Sequence, residues 1–130
     1  MHPIEEFKQL AIEANHKLLS EGSCGDADLE PFCLRIVDIA TRHPEFRTEL
    51  VDGFKNIVRD RDAGAWEIIL LCMHILRWPE IMNWAKGRHE ECVATDDWRG
   101  EPVYRAILEA FEDNWPDDGI YACLNSNAEQ

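Results

Sequence analysis

WEIILLCMHILRWPEIMNW, residues 66–84, holds a helix that is apolar on nearly every face, an Arg-Trp-Pro break and the start of a second helix. Only Glu67, His74 and Arg77 interrupt the apolar residues between Trp66 and Trp78. A helix hydrophobic all round belongs in the middle of a molecule. The pattern therefore predicts a central helix over about residues 65–77. The residue before a proline is driven out of helical conformation, which places the break at Trp78. The next helix then starts at Pro79 and runs to about Cys92.

Amphipathic helices flank this centre. Ile4, Phe7, Leu10, Ala11, Ala14 and Leu18 recur at helical spacing, so a first helix is expected over residues 4–21, ended by Gly22-Ser23-Cys24-Gly25. Asp28 is placed to cap a second helix over residues 29–42, with Leu29, Phe32, Cys33, Ile36, Ile39 and Ala40 inward and Pro31 in its tolerant first turn. His43-Pro44 breaks the chain, and a third helix over residues 44–59 turns Phe46, Leu50, Val51, Phe54, Ile57 and Val58 inward. Residues 60–64 form a loop. After a polar turn at residues 94–100, a sixth helix spans residues 101–114 with Val103, Ile107, Leu108 and Phe111 inward.

Pro116-Asp117-Asp118-Gly119 reads as a turn, and residues 120–124 as a last short element. No alternating strand pattern of useful length occurs. The expected class is all-α: about six helices in successive antiparallel hairpins, as a helical bundle or a short helical-repeat-like array. The recurrence of a helix–Pro–helix break at His43-Pro44 and Trp78-Pro79 suggests the repeat. Residues 1–124 are expected to form a single domain, with residues 125–130 as a frayed tail.

A chain of 130 residues, 45% hydrophobic and 30% charged, is long enough to bury a core without metal or disulfide. The apolar run is too short and interrupted to span a bilayer. Acids stand where a secretory signal would carry bases, so a cytoplasmic location is expected. Cys24, Cys33, Cys72, Cys92 and Cys123 are odd in number and lack a C-x-x-C pair, which fits reduced thiols.

The formal net charge of −13 argues against nucleic acid and anionic membranes as partners, and favours a basic protein or simple solubility. From Glu90 to Asp118 ten acids stand against two bases, Arg99 and Arg105, a local charge of −8. This is where a partner surface is expected.

Chemistry is poorly represented. His89 and Cys92 share one helical face and Cys72-Met73-His74 offers another His–Cys pair, but structural zinc wants four ligands in matched pairs. HExxH, G-x-S-x-G and a Gly-rich phosphate loop are all absent. The adjacent acids Glu90/Glu91 and Asp96/Asp97 do not face one another on a helix, so they mark a solvated face. No metal, no cofactor and no catalysis are expected. His74 reads as a core histidine bonded by a neighbour. Arg77 reads as a partner for an indole or for an acid of the next helix.

Trp98 and Trp115 each sit in a loop among acids and flank the most acidic helix. Each either anchors its loop to the core or stands exposed as a binding hot spot ringed by polar residues. The expected partner-binding set is Asp96, Asp97, Trp98, Glu101, Glu109, Glu112, Asp113, Trp115, Asp117 and Asp118.

The segment Leu71-Cys72-Met73-His74-Ile75-Leu76-Arg77-Trp78-Pro79-Glu80-Ile81 resembles a stretch of small helical immunity proteins from bacterial polymorphic-toxin systems, such as contact-dependent inhibition, Rhs and type VI effector systems. The motif marks a helix–Pro–helix corner and carries no binding residues with it. The resemblance implies stoichiometric neutralisation of a cognate toxin, by covering its active site or blocking its engagement with a target. A nuclease toxin holds phosphates on a basic surface, which an acidic inhibitor complements. The competing expectation is a helical adaptor or regulatory scaffold that binds another basic partner.

Overall fold

Six α-helices succeed one another through residues 2–20, 26–60 and 65–115, the residues that the computed structural model describes, and no strand occurs among them. They are α1 (Pro3–Ser20), α2 (Glu30–Arg42), α3 (Arg47–Arg59), α4 (Ile68–Leu76), α5 (Pro79–Ala94) and α6 (Glu101–Ala110). The fold is all-α. The glycine-rich stop after α1, most of the loop before residue 65, the turn at residues 116–119 and the short element beyond it lie outside the described residues.

α4 is the hub. Every residue from Ile68 to Met73 is buried, and the helix packs on α2 and α6. Its polar exceptions are each bonded. Cys72 Sγ donates to the Cys33 carbonyl at 3.6 Å, and Cys33 Sγ donates to the Ile68 carbonyl at 3.5 Å, which stitches α2 to α4. His74 Nδ1 lies 2.7 Å from the Ala110 carbonyl at the end of α6. The entry to α4 is tied to α1 by the Ala65 N–H on the Ala11 carbonyl at 3.1 Å.

The helix is shorter than its apolar run. Trp66 and Glu67 form a turn before it, and Arg77 leaves it in left-handed conformation at φ 54°. Trp78 is extended, at ψ 117°, as a residue before proline must be, and Pro79 opens α5.

The second helix also begins later than its stripe. A 3₁₀ turn occupies Asp26–Leu29, so α2 starts at Glu30 with Leu29 at its N-cap position. Pro44–Phe46 is likewise a 3₁₀ turn ahead of α3.

Successive helices pack closely at α1–α2 and α5–α6, but the other main contacts join next-but-one helices: α1 with α3, α2 with α4, α3 with α5 and α4 with α6. This modifies the expected run of successive hairpins. Two of the links between helices that do not pair are proline corners: His43 alone separates α2 from the turn at Pro44, and only Arg77 and Trp78 separate α4 from α5. At the second, left-handed Arg77 and extended Trp78 break the helix before Pro79.

The two corners are clamped to each other. Arg47, first in α3, makes a two-pronged contact with Glu80 in the first turn of α5, Nε to Oε2 at 2.8 Å and Nη2 to Oε1 at 2.7 Å. The same guanidinium lies 4.9 Å from the centre of the Trp78 ring, whose other neighbour is Phe54 at 6.0 Å. Hydrogen bonding to Arg47 holds the Glu80 carboxyl below the usual carboxylate range.

Gly53 in α3 faces Phe7 of α1. A Cβ added there would sit 2.6 Å from the edge of the Phe7 ring, which packs edge-on against Phe54 at 5.0 Å. The helix tolerates this glycine because α1 needs the space.

Candidate partner-binding surface

The surface is built from the turn between α5 and α6. Thr95 N–H and Asp97 N–H end α5 on the Glu91 and Cys92 carbonyls, at 3.0 and 2.8 Å. Between them Asp96 turns left-handed at φ 59°, a conformation that Asp tolerates better than most residues. Asp97 then organises the chain up to the start of α6. Its Oδ1 accepts the backbone N–H of Arg99 at 3.2 Å and of Gly100 at 3.1 Å, the local pattern by which Asp side chains fix turns.

Cys92 Sγ donates to Asp97 Oδ2 at 3.7 Å. A Cβ at position 100 would come within 2.9 Å of both Asp97 Oδ2 and Cys92 Sγ, so this turn closes tightly only over glycine. Hydrogen bonding, first from Gly100, holds the Asp97 carboxyl below its usual range. Burial, and then the negative Asp97, pushes the Cys92 thiol up.

A turn fixed in this way presents Trp98 to solvent. Its side chain is 74% exposed, and its described ring neighbour is the Arg99 guanidinium, 5.2 Å from the ring centre. Val93, on the last turn of α5, is 60% exposed. The two line a shallow depression of about 270 Å³ with Cys92, Asp96, Asp97 and Glu101. An apolar ring and an isopropyl group among carboxylates have the composition of an interface anchor with a polar rim.

The remaining candidates divide into two groups. Asp96, Asp97, Trp98 and Glu101 gather at the start of α6. Glu109, Glu112 and Asp113 lie at its far end, about 15 Å away for a helix of this length. Several already have work within the fold. Glu101 Oε2 is 2.7 Å from His89 Nε2 and 3.5 Å from Arg105 Nε. Asp113 Oδ1 meets Arg77 Nη1 at 3.1 Å. Asp96, Glu109 and Glu112 have no side-chain partner among the described residues, and Asp96 and Glu112 are exposed. Asp117 and Asp118 lie outside the described residues.

Trp115 is a correction. It is 2% exposed, and its ring lies 4.8 Å from the His74 ring, so it anchors the segment after α6 to the core and is unavailable to a partner. Arg77 supports the same segment, donating from Nη1 to the Phe111 carbonyl at 2.9 Å. The acid that Arg77 meets therefore comes after α6 and is not on α5, the next helix. The indole of Trp78 is taken by Arg47 instead. α6 itself stops at Ala110, four residues before its expected end, because Phe111–Asn114 turn to bring Trp115 inward.

Sequence reasoning missed Val93. The signal was present, since the buried stripe of α5 is Ile81, Ala85 and Cys92, and Val93 falls one residue off it. It also missed Tyr104, buried on α6 and edge-on to Trp84 at 5.5 Å.

The His–Cys pairs do not converge. His89 faces Glu101 while Cys92 faces Asp97, and Cys72 faces α2 while His74 faces α6. Among the described residues no group of three or more His, Cys, Asp or Glu is placed to hold a metal ion, and no helix is long and apolar enough to cross a membrane. No protein-family model, curated protein or solved structure matches the chain.

Proposed function

We propose that this chain is a cytoplasmic immunity protein that neutralises a cognate basic toxin by stoichiometric binding, with no chemistry of its own. The observation that carries the reading is Trp98, a large indole held 74% exposed on a turn that hydrogen bonds fix in place. Exposing such a ring costs hydrophobic free energy that folding would otherwise recover. A partner that buries it, together with Val93, recovers that free energy and leaves carboxylates around the rim.

Charge supports the same reading. The net charge of −13 attracts a basic protein over distances longer than any contact and speeds its capture. Asp96 beside the anchor and Glu112 at the other end of α6 serve this steering, whereas Asp97 and Asp113 are occupied by the fold. A nuclease, which needs a basic surface for phosphates, is the toxin class that fits best. The short resemblance around Leu71–Ile81 agrees with this assignment but contributes no binding residue.

The test is co-purification with the product of a neighbouring toxin gene, followed by stopped-flow association at several salt concentrations. Asp96→Lys with Glu112→Lys should slow association and flatten its salt dependence. Trp98→Ala should raise the dissociation constant by about 30-fold, the scale of a hot-spot residue. A complex indifferent to salt and to Trp98→Ala would show that this surface is not the one used.

A further inference from the structure

An acidic chain has few cations, and where it places them is informative. Thirteen Lys and Arg stand against twenty-six Asp and Glu, so a guanidinium is expected to meet a carboxylate. Arg47, Arg77, Arg88 and Arg105 do. Arg35, Arg59 and Arg99 do not: among the described residues none has a carboxylate within ion-pair distance, although Arg99 is near enough to Asp97 to act on its carboxyl. Arg59 and Arg99 both line one open cleft of about 580 Å³ between the end of α3 and the first turn of α6.

Each of these two arginines is positioned by an aromatic ring. The Arg59 guanidinium carbon lies 5.8 Å from the centre of the Trp84 ring, and that of Arg99 lies 5.2 Å from the Trp98 ring. A guanidinium over a ring is restrained while its in-plane N–H donors stay uncommitted. Arg88 also lines the cleft, but it is occupied, its Nη1 bonding Glu91 at 2.6 Å and its Nε reaching the Tyr104 hydroxyl at 3.5 Å.

Two carboxylates share the space. Asp97 is committed to the turn, where its Oδ1 accepts the Arg99 and Gly100 N–H groups, and Asp60 has a partner of its own. The cleft therefore holds two guanidinium groups from separate elements that form no ion pair among the described residues, and Val58 and Val103 supply apolar wall.

We propose that this cleft binds the phosphate group of a small phosphomonoester whose body is apolar or aromatic. Two guanidinium groups arriving from different elements suit a tetrahedral dianion, which offers three terminal oxygens in different directions. A carboxylate offers two oxygens in one plane and a single charge. The field of the acidic chain disfavours anions over the rest of the surface, so occupancy should be confined to this cleft.

The test is a titration followed by NMR of the arginine Nε–H and tryptophan indole signals, with phenyl phosphate, benzoate and sulfate at constant ionic strength. At about pH 8 phenyl phosphate is a dianion. Phenyl phosphate should give saturable shifts at Arg59, Arg99 and Trp84, and benzoate should bind at least about tenfold more weakly. Arg59→Gln with Arg99→Gln should abolish saturation while circular dichroism stays unchanged, since both side chains are exposed. The single Arg99→Gln variant gives the same readout should the double variant misfold. Equal binding of benzoate would overturn the phosphate assignment. Equal binding of sulfate would reduce the site to general anion attraction, and absence of saturable shifts would remove it.

Discussion

The α4–α5 corner and the α5–α6 turn are made from similar parts. Each holds an adjacent Arg and Trp, Arg77-Trp78 in one and Trp98-Arg99 in the other. Each also contains a non-glycine residue with positive φ, Arg77 at 54° and Asp96 at 59°. At the corner, the left-handed residue is anchored through its own side chain, which bonds the His74 and Phe111 carbonyls, and Trp78 is buried between Phe54 and Arg47. At the turn, the neighbouring Asp97 does the anchoring and Trp98 is left in solvent. Unfavourable backbone conformations persist where the surroundings over-determine them. The corner is over-determined by the core and the turn by local hydrogen bonds, so one serves stability and the other presents a side chain.

The difference can be broken at the corner first. Leu71→Ala, in the wholly buried run before it, should cost about 2–5 kcal/mol in a urea melt. A cost under about 1 kcal/mol, below the range for such truncations, would mean that α4 is not the centre of the core. Gly53→Ala comes next. Crowding against the Phe7 ring should cost about 1–3 kcal/mol, partly offset by the better helix propensity of alanine. A stabilised variant would show that α1 and α3 are less closely packed than described.

Acid distinguishes the two regions more finely. Glu80 at the corner and Asp97 at the turn both have depressed pKa values. Their stabilisation is present above the ordinary carboxylate range and is lost as pH falls through their folded values. Glu80→Gln and Asp97→Asn should each flatten the acid limb of stability against pH, with little change in slope near neutrality. An unaltered acid limb in both would remove these contacts from the account. Smallest is the effect of Trp98→Ala on stability, expected within about 0.5 kcal/mol as for other surface changes. A loss of about 2 kcal/mol or more, outside the range of surface changes, would make Trp98 a structural residue and not a presented one.

The all-α class and the inward stripes of α2 and α3 were legible because helical periodicity is local. α4 was legible for the same reason, since a helix apolar on every side has only one place to go. Which helix packs on which was not legible, because helical periodicity marks an inward face without naming the helix that covers it. Trp98 and Trp115 could not be told apart by their neighbours, as both lie among acids. What separates them is distant in sequence: His74 and Arg77 receive the segment that carries Trp115, and nothing comparable among the described residues reaches Trp98. The cleft arginines were hidden too, because Arg59 and Arg99 come to line one cleft only through the fold.

The thiols that join α2 to α4 have a kinetic consequence. Cys33 and Cys72 are fully enclosed, and burial raises the Cys72 pKa, so a thiol reagent reaches this pair only when the seam between the two helices opens. Cys92, beside the exposed turn, is separated from solvent by little more than that turn. With Cys24 and Cys123 replaced by serine, labelling rates at the three remaining sulfurs would time core opening and turn opening separately. A bound partner that slows modification at Cys92 alone would reveal that it quiets the turn without touching the core.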